Sequence, residues 1–165
     1  MNKIFVILFC VVFVGCATGY HGQGFTGGYS DMKLQDNIFK VSFKGNGYSS
    51  MERAGDFALL RSSEVTIENG YKYFIVLETN SYVKTAAITT PVTAETTGTV
   101  NMYGNTGSYN ATTYYSGGET YHIRKPATNM TIECFQDKPA NINGMIYDAE
   151  QIRANIKNAY GIKWR

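Results

Sequence analysis

An uninterrupted apolar run from Ile4 to Val14, preceded by Lys3, opens the chain and limits how much of it is available for folding. A membrane-spanning helix needs about 20 apolar residues, and this run is shorter and ends before a polar, glycine-rich stretch. A short positive region, an apolar stretch and a small residue at the end are typical of a cleaved export signal. We therefore predict that residues 1–15 are a signal peptide.

A cysteine stands directly after the predicted cleavage point. The stretch Phe13–Cys16 resembles the lipobox of bacterial lipoproteins, although Phe13 departs from the usual leucine. The resemblance implies that Cys16 carries acyl chains and anchors the mature protein to a membrane. By the same resemblance, Ala17 in the next position implies an outer-membrane location, where the protein is expected to face the periplasm, with exposure at the cell surface as the alternative. The alternative is a soluble secreted protein that is cut elsewhere.

The charge and the cysteines limit the possible partners and the source of stability. Removing residues 1–15 takes away only Lys3 among the charged residues, so the formal net charge falls from +2 to +1. This balance argues against nucleic acid as a partner. With Cys10 in the signal and Cys16 lipidated, Cys134 is the one remaining thiol, so an internal disulfide is not expected.

Two segments of unusual composition frame the predicted domain. Residues 16–36 are rich in glycine and poor in aliphatic side chains, which predicts a flexible tether, with a single domain over 37–165. Residues 85–118 are dominated by threonine, glycine and tyrosine, and Glu95 is the single residue charged at neutral pH. Disorder is one interpretation of this second segment. Because threonine, valine and tyrosine favour strands, we favour an extended hairpin after a mobile loop, with turn residues at 105–107 and 116–118.

Regular elements are predicted on both sides of the threonine-rich segment. Alternating apolar residues over Ile38–Lys44 predict a strand, and the spacing of Ser49 and Glu52 predicts a capped helix that stops before Asn69 and Gly70. The apolar run Tyr71–Glu78 predicts a central strand.

The C-terminal part completes the predicted fold. Strands are expected at Thr120–Lys125 and Asn129–Gln136, with a turn at Pro126 between them. Asp148 is expected to cap a last helix that ends in a Schellman motif at Gly161 and Ile162. The order β-α-β, hairpin, β-β, α predicts a two-layer α+β domain, in which an antiparallel or mixed sheet of about four to six strands packs on two helices.

Several short motifs resemble a family of small bacterial outer-membrane lipoproteins of unassigned function. The family core is similar to GN-x-T, then an RAAE-like helix, then G-x-x-x-F. The matching stretches are Gly45–Tyr48, Ala58–Glu64, Gly70–Phe74, Lys125–Pro126, Ile132–Phe135, Lys138–Pro139 and Tyr147–Ala149. Ser62 and Ser63 replace the usual alanine pair. The resemblance supports export as a lipoprotein and implies no activity.

Arg61 and Glu64 are the candidate ion pair of the first helix. A helical wheel puts Arg61 in the middle of the apolar face formed by Ala54, Phe57, Ala58 and Val65. A charged group there must reach solvent, pair with an opposite charge or bind a ligand. Glu64, one turn on, is the expected partner. A structural network is one interpretation, and the other is that Arg61 receives an anion such as a carboxylate.

A catalytic cysteine is not expected. Cys134 shares a strand face with Met130 and Ile132, where a thiol is usually inert. His21 and His122 are the available bases, and the chain has no HExxH, CxxC or G-x-S-x-G pattern. We therefore expect no metal and no cofactor.

Tyrosines on the predicted hairpin are the candidate binding surface. These are Tyr103, Tyr109, Tyr114 and Tyr115, with Tyr121 nearby. Exposed aromatic side chains suit binding of a protein or a glycan, although the same side chains would also suit covering a sheet.

Two functions are thus compatible with the residues. The favoured one is a non-enzymatic envelope lipoprotein that interacts with another protein or with peptidoglycan. The other is a small periplasmic hydrolase that uses Glu64 or Asp148 with a histidine, or a ligand-binding protein that uses Arg61 and Glu64.

Overall fold

In the computed structural model, a five-stranded antiparallel sheet and two helices share one hydrophobic core. The structure describes residues 16–140, 142 and 144–163, so the predicted signal peptide lies outside the described residues. The elements in chain order are β1 (Gly28–Lys33), β2 (Ile38–Lys44), α1 (Met51–Glu68), β3 (Tyr73–Thr89), β4 (Thr93–Tyr103), β5 (Thr106–Ser116), β6 (Thr120–Phe135), β7 (Ile146–Asp148) and α2 (Ala149–Tyr160). The sheet order is β1-β2-β6-β3-β7, and the predicted α+β class is confirmed.

The alternating pattern of β2 places one side of this strand in the core. Phe39, Val41 and Phe43 are buried, while Lys40 is exposed. β2 pairs antiparallel with β1 on one side and with β6 on the other. The apolar face of β2 is covered by α1, whose buried side chains complete the core with those of β3 and β6. The core residues are Phe39, Val41, Phe43, Ala54, Phe57, Ala58, Val65, Phe74, Met130, Ile132, Cys134 and Ala149.

Both helices begin and end through local hydrogen bonds. The N-cap of α1 is Ser50, one residue later than predicted, and its side chain accepts from the Arg53 amide. Ser49 is instead used by the N-terminal segment, because its hydroxyl oxygen accepts from the Thr18 amide at 3.1 Å. Gly70, with φ +81°, ends α1 in the left-handed conformation, as predicted.

The boundaries of α2 are confirmed. The Asp148 carboxylate accepts from the Gln151 amide at the start of the helix. Gly161 is left-handed, and the Ile162 amide donates to the Lys157 carbonyl at 2.8 Å. These bonds form the predicted Schellman motif.

The prediction of a flexible tether over residues 16–36 is wrong. β1 lies within this range, and Thr18 is only 3% exposed. Tyr20 and Tyr29 pack against the core. The prediction failed because it counted aliphatic residues, whereas two aromatic side chains supply the apolar contacts. Gly27 and Gly28, at φ +108° and +116°, turn the chain into the sheet.

We expect replacement of Gly27 with alanine to destabilise the protein. The added Cβ would lie 2.2 Å from the Lys44 carbonyl oxygen, on a backbone that favours glycine. Strain of this kind costs about 1–3 kcal/mol, so the melting temperature should fall by several degrees. Gly24→Ala is the matched control because its Cβ would meet nothing within 4 Å. Equal melting temperatures for the two variants would mean that the segment does not contribute to the fold.

Two further boundaries differ from the prediction. β6 is one continuous strand, so Pro126 does not make a turn. Pro126 is tolerated because the β2–β6 ladder ends at Lys44 and Ala127, one residue short of the proline. β3 likewise extends to Thr89, through residues predicted to start a mobile loop.

The described residues outside 85–124 form one compact unit, and residues 85–124 form a second. The predicted single domain over 37–165 is corrected in this respect. Within this second unit, β4 and β5 pair antiparallel over their whole length, from Thr93 opposite Ser116 to Tyr103 opposite Thr106, and the predicted hairpin is confirmed. Its turn lies at Gly104 and Asn105, since Gly104 has φ +59°.

Neither helix found among the described residues is both long and apolar enough to cross a membrane.

Candidate functional site

A polar cleft of the first unit lies where α1, α2 and the N-terminal segment meet, and its volume is about 280 Å³. Its lining is rich in charged and aromatic side chains and comprises Tyr20, His21, Gly22, Tyr29, Arg61, Glu64, Glu68, Arg153, Lys157, Ile162 and Lys163. Both members of the predicted ion pair therefore line one site.

Arg61 lies at the centre of this cleft and is held by three carboxylates. Its Nη1 and Nη2 donate to the two oxygens of Glu68 at 2.8 and 2.9 Å, and its Nε donates to Asp31 at 2.8 Å. The guanidinium also stacks on the Tyr29 ring, 4.8 Å from the ring centroid. The predicted contact with Glu64 is the longest of its ion pairs, at 3.5 Å.

Glu64 has a closer partner than Arg61. The Lys157 Nζ of α2 lies 2.7 Å from one carboxylate oxygen, and the Tyr20 hydroxyl donates to the other. The Glu64 and Lys157 side chains are only 13% and 8% exposed. Glu64 thus links the N-terminal segment, α1 and α2 in a largely buried position.

The electrostatics of the cleft follow from burial and from these contacts. Burial raises the pKa of Tyr20 well above its ordinary value, and the hydrogen bond to the Glu64 carboxylate raises it further. Burial alone would lower the pKa of Arg61, but the hydrogen bonds to Glu68 and Asp31 outweigh it and raise that pKa. Tyr20 is therefore neutral and Arg61 charged throughout the physiological range.

The charged groups of the cleft link separate elements of the fold. The carboxylate of Glu64 and the guanidinium of Arg61 both have partners within the protein. Asp148 is engaged as the N-cap of α2, and His122 lies in the second unit. His21 lines the cleft, and its Nδ1 lies 2.7 Å from the Gly22 carbonyl oxygen. Among the described residues, no three His, Cys, Asp or Glu side chains are grouped to hold a metal ion.

Sequence reasoning missed most of the network around the pair. Glu68 has a detectable signal, because it lies two turns after Arg61 on the same helix face. Asp31, Lys157 and Tyr20 carry no local signal, since their positions depend on how distant segments pack.

Cys134 is a buried core thiol, as its strand position predicts. It is 1% exposed, burial raises its pKa, and its Sγ lies 3.3 Å from the Thr66 hydroxyl.

We expect Cys134 to resist thiol reagents in the native protein because thiolate formation and reagent access are both suppressed. The measurement is the rate of labelling in the Cys10→Ser, Cys16→Ser variant, where Cys134 is the sole thiol. Labelling should become fast only in denaturant, which also serves as the control for a competent thiol. Rapid labelling of the native protein would contradict the assignment of Cys134 as an inert core thiol and would favour a reactive cysteine.

The hairpin tyrosines lie on two different faces. The register pairs Val100 with Tyr109 and Ala94 with Tyr115, so these four residues share a face with Met102. Tyr114 and Tyr103 lie on the opposite, threonine-rich face. All four tyrosines are exposed, between 65% and 80%.

The three comparisons with known proteins identify no relative. No protein-family model matches the chain, and neither a curated protein nor a solved structure matches it. The resemblance to the lipoprotein family therefore stays a prediction.

Proposed function

We propose that this protein is a non-enzymatic lipoprotein of the bacterial cell envelope, anchored through acyl chains on Cys16, that uses the β4–β5 hairpin to bind another envelope protein or peptidoglycan. The anchor and the outer-membrane, periplasm-facing location are supported by the signal-like N-terminus and by the lipobox resemblance. Cys16 is exposed, as an attachment point must be.

The observation that carries the binding role is the apolar face of the hairpin. Val100, Met102, Tyr109 and Tyr115 are each more than 60% exposed on one face of a two-stranded ladder. Val100, Met102 and Tyr109 adjoin one another near the turn, and clustered apolar exposure of this kind is uncommon on a soluble surface unless a partner covers it. Aromatic side chains and methionine are also the residues enriched in the centres of protein interfaces.

The cleft supports a non-enzymatic role because most of its charged side chains are paired with one another. Arg61 and Glu64 are engaged by Asp31, Glu68, Lys157 and Tyr20.

Crosslinking in intact cells and incubation with purified sacculi test the binding role. Tyr109→Ala and Tyr115→Ala should each reduce capture by about tenfold or more if these side chains anchor the interface. Tyr114→Ala is the matched control, because it makes the same chemical change on the opposite face and should retain capture.

The two baits separate the two kinds of partner. Sacculus binding without a protein crosslink identifies peptidoglycan, and the reverse identifies a protein. Equal capture by all three variants would remove the hairpin face from the proposal. Absence of capture with folded, membrane-attached protein would contradict the binding role and favour the cleft of Arg61 and Glu64.

Lipidation is tested separately by the mass of the mature N-terminus. We expect acyl groups on Cys16 in the parent protein and none on the Cys16→Ser variant. A mature chain that begins elsewhere, without acyl groups, would contradict the lipoprotein assignment.

A further inference from the structure

Cys16 is followed by ordered chain rather than by a spacer. The Asn46 side-chain amide donates to the Cys16 carbonyl oxygen at 2.9 Å, and the Asn46 backbone amide donates to the Thr18 hydroxyl at 2.8 Å. The Thr18 amide donates to Ser49. An acyl group on Cys16 would therefore hold one particular side of the domain close to the bilayer.

An exposed aromatic side chain lies on that same side. Gly24 and Gly27 exchange backbone hydrogen bonds of 2.7 and 3.2 Å, which closes a tight turn with Phe25 and Thr26 at its tip. Phe25 is fully exposed, and the Thr18 hydroxyl donates to the Thr26 carbonyl at 2.8 Å. The turn is thus fixed to the segment that begins at Cys16.

Three lysines lie beside this turn. Lys44, Lys84 and Lys125 line a depression of about 310 Å³ together with Phe25 and Asn46, and the lining contains no carboxylate. Across the described part of the chain, none of these lysines forms an ion pair within 4.0 Å, whereas Lys157 and Lys33 do. We call Phe25, Lys44, Lys84 and Lys125 the basic face.

We propose that the basic face docks on the anionic headgroups of the membrane in which Cys16 is anchored, with Phe25 inserted at the interface. This inference rests on the proposed lipid anchor for its location, while the charge and the exposed aromatic side chain supply the affinity. Lysines attract the phosphates of acidic lipids, and an apolar aromatic side chain gains from leaving water at the headgroup boundary. Lipid and basic face would together fix the orientation of the domain.

The depth of Phe25 can be measured in the lipidated protein. The single tryptophan, Trp164, is replaced by phenylalanine, and Phe25→Trp is introduced as the probe. Leu34→Trp is the matched control: it is exposed and follows the far end of β1, about 17 Å from the Gly28 end that pairs with Lys44. Both proteins are reconstituted into vesicles of phosphatidylcholine and phosphatidylglycerol that contain brominated lipid.

We expect bromine to quench the tryptophan at position 25 strongly and the one at position 34 weakly. Equal quenching at the two positions would overturn the proposal. Quenching at position 25 that is unchanged when phosphatidylglycerol is left out would overturn the role of the lysines.

The charge is tested without the lipid anchor. The Cys16→Ser chain should sediment with vesicles that contain phosphatidylglycerol and not with pure phosphatidylcholine. Changing Lys44, Lys84 and Lys125 to glutamine should weaken this binding by roughly a hundredfold, at about fivefold per lysine. The control triple variant changes the exposed lysines at 40, 72 and 138 to glutamine, which alters the net charge equally.

The two triple variants decide between a specific face and general attraction. Retained binding by the control and loss by the basic-face variant support the proposal, once equal melting temperatures show that both are folded. Equal loss in both would overturn it. If Cys16 proves not to be acylated, the proposed anchor fails, yet sedimentation of the Cys16→Ser chain still shows whether the basic face binds membranes.

Discussion

Replacing Glu64 with alanine should lower the free energy of unfolding by about 3 kcal/mol, because it breaks a largely buried ion pair with Lys157. Lys157, 8% exposed, would lose its 2.7 Å contact to this carboxylate. Tyr20 would lose its hydrogen-bond acceptor at the same time. For a domain of this size the melting temperature should fall by about 10 °C.

Two variants separate the contributions to this effect. Glu64→Gln keeps an acceptor for Tyr20 but removes the negative charge. Its loss of unfolding free energy therefore measures the contribution of the ion pair with Lys157. Glu68→Ala is the control for a more exposed carboxylate, since Glu68 is 55% exposed and its pair with Arg61 should contribute about 1 kcal/mol or less.

Arg61→Ala should also destabilise the protein, though less than Glu64→Ala. Its loss does not leave Glu64 without a partner, because Glu64 keeps Lys157 and Tyr20.

Unfolding midpoints that coincide for Glu64→Ala and Glu68→Ala, measured by chemical denaturation, would contradict a structural role for the cleft.

Replacing Phe57 with alanine should cost about 3–5 kcal/mol, the range for deleting a buried aromatic side chain. Phe57 is 2% exposed and makes edge-to-face contacts with Tyr20, Phe43 and Tyr160, at centroid distances of 5.5, 5.1 and 4.8 Å. These rings belong to the N-terminal segment, β2 and α2. The cavity would therefore open where four parts of the fold meet.

Phe25→Ala is the matched control for this variant because it deletes the same side chain at a fully exposed position. Its unfolding free energy should stay within about 0.5 kcal/mol of the parent. A Phe57→Ala protein as stable as Phe25→Ala would mean that the aromatic cluster does not hold the N-terminal segment on the core.

Elements with local signals were predictable from the residues. β2 follows from strict alternation over seven residues, and α2 follows from Asp148, Gly161 and Ile162, whose roles depend on atoms within one helical turn. The hairpin was predictable because its threonine, valine and tyrosine residues favour strands, although the segment has few apolar residues to form a core. Ser49 was predicted to cap α1, but its hydroxyl oxygen accepts a hydrogen bond from the amide of Thr18, which is distant in the chain. Local spacing alone could not show this contact.

The candidate sites were predictable only in part. Arg61 and Glu64 were found because a charge on an apolar helix face needs a partner, but the stronger partners of both were not. The residues left open whether the hairpin tyrosines are exposed or cover the sheet, so both their exposure and their division between two faces needed the structure.

By itself, then, the sequence determined the local elements, the α+β class and the signal-like N-terminus, because each depends on residue spacing within a few turns of chain. Only the tertiary structure decided that residues 16–36 join the core, that Glu64 pairs with Lys157, and that Phe25 lies beside three lysines and the segment of Cys16. Those arrangements depend on contacts between segments far apart in the chain. Burial at those contacts sets how strongly the charges interact and how much the apolar side chains stabilise the fold.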